Sequence, residues 1–118
     1  MRTIIFISLA IALGSFMSED FLTGRWETKI SEKGNVTSIV FKPDNTFEGF
    51  INRKPFTTGK YTLKDSVLSF TDNGCGGSEA VYKLKLFSNG DSLRFVDIRD
   101  TCTERKRGML RTILGRVN

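Results

Sequence analysis

Residues Ala80–Ile98, AVYKLKLFSNGDSLRFVDI, decide the fold. Tyr82, Leu84 and Leu86 alternate with Lys83 and Lys85, a period of two that fits a strand with one wet face and one packed face. Asn89-Gly90 follows, a dipeptide suited to a two-residue hairpin turn. Ser92 to Ile98 then forms the return strand. Two antiparallel strands on a tight turn are the unit from which the rest of the chain is read.

Outward from this hairpin, turn signals recur about every ten to twelve residues, the spacing of a meander or barrel. The pattern predicts a first strand over Gly24 to Ile30 and a second over Val36 to Lys42, the latter rich in β-branched residues. Pro43-Asp44-Asn45 turns the chain into a third strand, Thr46 to Asn52, whose Gly49 marks a bend or a close approach. After Arg53-Lys54-Pro55, a fourth strand carries Tyr61 and Leu63 against Lys60, Thr62 and Lys64, and Val67 to Thr71 is the fifth. Both prolines are expected between strands. A final strand is expected from about Met109 to Val117, with Glu104 to Leu114 the one stretch that also suits a helical turn. The expected fold class is all-β: about eight antiparallel strands in up-and-down order. Closure into a barrel removes the exposed edges that an open sheet would have to protect.

Met1-Arg2 gives a positive start, and Ile4 to Leu13 is apolar apart from Ser8. That run is about half of the ~20 residues a helical membrane span needs. Small residues then lead into Glu19-Asp20, the order of a secretory signal peptide. Residues 1–15 are therefore expected to be a leader cleaved near 14–18, and 19–118 the mature domain, periplasmic or secreted. Cys75 and Cys102 lie in two loop-like stretches of that domain, and an even pair in an exported protein points to a disulfide. On the chain-entropy view such a bridge stabilises by roughly 3 kcal/mol. The net charge is +5, one less once Arg2 leaves with the leader.

The chain has no histidine, which removes the usual general base and the commonest metal ligand. Gly74-Cys75-Gly76-Gly77 lacks the Lys-Ser/Thr pair and following helix of a phosphate loop. No catalytic, metal or cofactor site is expected, and the protein is not expected to be an enzyme. Two features remain. Phe41, Phe47, Tyr61, Phe70, Tyr82 and Phe95 are the large aromatics placed inward by alternation, either lining a ligand cavity or filling a narrow barrel. Arg99, Arg105, Lys106, Arg107, Arg111 and Arg116 form a basic cluster, either for an anionic envelope surface or as a solvated face neutralised by Asp97, Asp100 and Glu104.

Gly24-Arg25-Trp26 at the head of the first strand resembles the Gly-x-Trp motif of the lipocalin (calycin) family. Phe41-x-x-Asp44-x-Thr46-Phe47, Gly59-x-Tyr61, Asp72-x-x-Cys75 and Asp100-x-Cys102-x-x-Arg105 resemble the small exported lipocalin-like domains of bacteria. The resemblance implies an eight-stranded barrel in which Gly24 and Trp26 close one end and a C-terminal arginine packs across the indole. Spacing from Cys102 suggests Arg105 for that arginine, with Arg107 and Arg111 as rivals. The chain is shorter than the family's usual member, with small loops and no clear helix after the barrel. The resemblance implies a binding module for a small apolar or amphipathic molecule; a monomer is expected, and export makes nucleic acid an unexpected partner. The alternative is a loop-mediated interaction module on a filled barrel, such as an inhibitor of an exported hydrolase. For that alternative a basic lysozyme would be a poor target, since like charges repel.

Overall fold

A computed structural model describes residues 21–118; the leader expected over 1–15 and its cleavage region lie outside the described residues. Eight strands, β1 (Gly24–Glu27), β2 (Thr37–Phe41), β3 (Thr46–Ile51), β4 (Lys54–Lys64), β5 (Val67–Asp72), β6 (Ala80–Phe87), β7 (Ser92–Arg99) and β8 (Ile113–Val117), form a closed antiparallel barrel. Each strand pairs with its neighbours in sequence, and β8 closes the ring on β1 through Arg25↔Val117 and Trp26↔Arg116. A 3-10 turn spans Cys75–Gly77, and one α-helix, α1 (Thr103–Arg111), lies between β7 and β8. The Cys75–Cys102 disulfide is present, with Cα atoms 5.9 Å apart.

The alternating pattern of each strand is what fills the interior. Tyr82 and Leu84 turn inward with their partners Leu68 and Phe95, as does Leu93, while Lys83 and Lys85 stay outside. The core comprises Leu22, Trp26, Phe41, Phe47, Tyr61, Leu68, Phe70, Ala80, Tyr82, Leu84, Leu93, Phe95 and Leu114. Its aromatic rings make a continuous chain of contacts from Phe41 through Phe47, Phe70 and Tyr82 to Phe95, with Tyr61 branching from Phe41, and three of the five pairs are edge-to-face. Such pairs contribute about 0.5–1.5 kcal/mol beyond the area they bury.

Several expectations are corrected. The two-residue hairpin turns are Asn52-Arg53 and Asp65-Ser66, all four residues at positive φ, although neither pair contains glycine. Asn89-Gly90 sits instead in a four-residue loop between the paired Phe87 and Ser92. Pro55 is not between strands: it is the second residue of β4, opposite Phe50, where the β3–β4 register shifts. Phe56 has no partner on β3 there, and a strand tolerates proline at such a bulge. The last strand begins at Ile113 rather than near Met109, because Thr103–Arg111 is helical.

An up-and-down order fixes which connections share an end. The start of β1, the β2–β3, β4–β5 and β6–β7 turns and the finish of β8 lie together. The β1–β2 loop, the β3–β4 turn, the disulfide-bearing β5–β6 loop and α1 lie at the other end.

Candidate functional site: a cavity beneath the helix

Trp26 closes the first end. It is fully buried, and its indole Nε1 donates a 2.9 Å hydrogen bond to the Leu22 carbonyl. Gly24 precedes it at φ +125, a conformation open to glycine, and a Cβ there would meet no atom within 4 Å. Backbone geometry, not space, therefore calls for glycine at this corner. The arginine over the indole is Arg116, whose guanidinium carbon lies 4.3 Å from the ring centre. It is not Arg105, nor the rivals Arg107 and Arg111. The physical reason is register: Arg116 pairs with Trp26, and directly opposed residues share a face of the sheet. Arg105, Arg107 and Arg111 all lie on α1, the connection at the far end.

Arg105 does other work there. Its Nε and Nη2 donate to the two oxygens of Asp100 at 3.1 and 2.9 Å. Nη2 also donates to the Ser78 carbonyl at 3.1 Å, and Nη1 reaches Asp72 Oδ1 at 3.4 Å. The guanidinium lies 5.3 Å from the centre of the Phe70 ring. The Asp100 side chain is fully buried and takes further bonds from the Tyr82 hydroxyl and the Cys102 N–H. Burial pushes the Asp100 carboxyl up, but the bonds from Arg105, Tyr82 and Cys102 outweigh it and hold the carboxyl below its ordinary value. Burial, with the adjacent carboxylate of Asp100, drives the Tyr82 phenol far above its usual value. Arg105 thus ties the start of α1 to the end of β5, the β5–β6 loop and the residue following β7, beside the disulfide.

Beneath α1 the barrel is hollow. A cavity of about 320 Å³ lies among Phe41, Phe47, Leu68, Phe70, Phe95 and Ile39, roofed by Arg105, Gly108 and Met109 of α1. Its rim carries the exposed Phe56 and Glu104. Four of the six aromatics singled out in the sequence line this space. The other two do not: Tyr61 donates its hydroxyl to the Lys42 carbonyl at 3.0 Å, and Tyr82 donates to Asp100 at 2.6 Å. Both spend their polar ends on the protein itself. The lining residues that periodicity did not single out include Ile39, Phe56, Leu68, Asp72 and the α1 residues. For Ile39 and Phe56 the signal was their place in β-rich stretches; for α1 there was none beyond the weak helical tendency.

The basic cluster is largely paired: Arg99 with Glu79, Lys106 with Asp97, Arg107 with Glu104 and Arg116 with Asp91, besides the Arg105 network. Arg111 makes no ion pair among the described residues. Asp97 Oδ1 is buried and takes no hydrogen bond, while its Oδ2 meets Lys106 Nζ at 3.1 Å. Among the described residues no group of His, Cys, Asp and Glu is arranged to hold a metal ion, and no helix is long and apolar enough to cross a membrane. No protein-family profile matches the chain, and no curated protein matches it as a relative.

Proposed function

We propose that the protein is an exported, lipocalin-like binding module that holds a small apolar molecule in the barrel beneath α1. The observation that carries this reading is the cavity of about 320 Å³ walled by Phe41, Phe47, Phe70 and Phe95. It falls at the lower end of the roughly 300–1,000 Å³ range of small-molecule sites. A filled barrel would suit the loop-mediated interaction module better. The Gly24-x-Trp26 corner with an arginine over the indole supports the family resemblance. The disulfide suits an oxidising compartment outside the cytoplasm.

Titration with the uncharged two-ring fluorophore 7-methoxycoumarin tests the reading. Saturable binding at one site is expected, and Ile39→Trp, which places a larger side chain on the cavity wall, should weaken it at least tenfold. Equal binding by wild type and I39W, or no binding by either, would count against a ligand in this cavity.

A further inference from the structure

The charges at the cavity select among apolar ligands. Among the lining residues the charged side chains are Asp72, Glu104 and Arg105. Arg105 is spent on Asp100, and Glu104 is paired with Arg107 at the rim. With these partners included, three carboxylates stand against two guanidinium groups, so the wall carries one negative charge in excess. Asp72 supplies it. It lies two residues beyond Phe70 on β5, on the same inward face, and its side chain is mostly buried. Asp72 Oδ1 accepts from the Gly74 N–H at 2.9 Å and from Arg105 at 3.4 Å, whereas Oδ2 accepts no hydrogen bond among the described residues.

A carboxylate ligand would meet this excess negative charge, and the one arginine in reach gives its Nε and Nη2 donors to Asp100 and Ser78 and turns Nη1 to Asp72. A cation meets favourable partners instead. The faces of the Phe rings carry the negative end of the ring quadrupole, and aromatic walls with a nearby carboxylate attract ammonium groups. Size sets the remaining limit. A cavity of about 150 Å³ holds benzene, so roughly twice that volume holds a molecule of about two fused rings.

We propose that the ligand class of this cavity is a small one- or two-ring molecule bearing a protonated amine, with Asp72 Oδ2 as its acceptor. This inference rests on the binding reading above and names the ligand for the same site.

Three analogues of one ring system separate the classes: 2-naphthylmethylamine, 2-naphthylmethanol and 2-naphthoate, each displacing the two-ring fluorophore 7-methoxycoumarin from the full domain at pH 7. A charge-assisted hydrogen bond is worth roughly tenfold or more over its loss, so the amine should bind at least tenfold tighter than the alcohol and the acid weakest. In Asp72→Asn the amine-to-alcohol ratio should fall towards one, a comparison made within one protein and so independent of its overall stability. Binding of all three alike, or tightest binding by the acid, overturns the amine assignment and leaves the cavity reading standing. Should D72N not fold, the wild-type order alone decides. Displacement by none, with the fluorophore itself unbound, overturns the cavity reading and the amine assignment together.

Discussion

Replacing Arg105 by methionine tests the anchoring of α1 most severely. Methionine keeps an unbranched apolar stem over Phe70 but removes every donor that Arg105 gives to Asp100, Asp72 and Ser78. The Arg105 side chain is 8% exposed and that of Asp100 0%, so the small value of a surface ion pair does not apply. Breaking a buried pair by removing one partner costs about 3–5 kcal/mol, because the other charge is stranded. Against a total of about 5–15 kcal/mol for a typical domain, that loss is severe. It corresponds to a fall in Tm on the order of 20 °C for a domain of this size. The sign of the pH dependence follows from Asp100. In the wild type its carboxyl lies below the ordinary value of 3.8, so its contribution is present above that pH and is lost as pH falls through the lowered value. In R105M burial acts with less opposition, the carboxyl rises, and its ionised form destabilises the variant at neutral pH. The deficit should therefore be about 3–5 kcal/mol at pH 7 and smaller near pH 3, because the raised carboxyl of the variant takes up its proton before that of the wild type. Urea unfolding followed through the single, buried Trp26 measures it. A deficit below about 1 kcal/mol at pH 7, or one equal at both pH values, would refute the reasoning.

Further outcomes follow from the same coordinates. Gly108 lies in α1 without a left-handed φ, and an added Cβ would meet no atom within 4 Å, so G108A should stabilise by about 0.5–1 kcal/mol, seen as a raised urea midpoint. Gly59 is the opposite case: a Cβ there would collide with the Thr71 carbonyl and stand 2.7 Å from the Phe47 ring. Gly59→Ala should cost about 3 kcal/mol or more, measured by thermal unfolding. Reducing the disulfide, whose partners are 27 residues apart, should lower stability by roughly 3–4 kcal/mol in denaturant titrations with and without reductant. Arg116→Met should cost about 0.5–2 kcal/mol and alter the emission of Trp26, since the guanidinium leaves its ring face.

The barrel was legible because strand alternation is a local signal that closure then reuses. Tyr82, Leu84 and Leu86 announce one face of β6, and Phe41, Phe47 and Phe70 do the same for their strands. Cys75 and Cys102 were readable as a pair because nothing else in the chain could use a thiol. The helix was harder to read. Its cap residue, Cys102, supplies no side-chain hydrogen bond, it buries no apolar residue fully, and Gly108 lowers its helix propensity. Its position comes from long-range ties, Arg105 to Asp100 and Asp72 and the adjacent disulfide, which no local window contains. The arginine over Trp26 eluded spacing for a related reason. Only the β1–β8 closure register, Trp26 opposite Arg116, selects it among the arginines of the last twenty residues. Tyr61 and Tyr82 turn to polar partners and leave the cavity wall to the four Phe rings, and alternation says nothing of that.

Xenon-pressurised crystals test the central claim, a hollow barrel with an aromatic wall beneath α1, most directly. Xenon enters apolar cavities without needing a polar contact. The account predicts xenon density among Phe41, Phe47, Phe70 and Phe95, and its loss in I39W. An interior closed by those same rings, with no xenon between them, would contradict it.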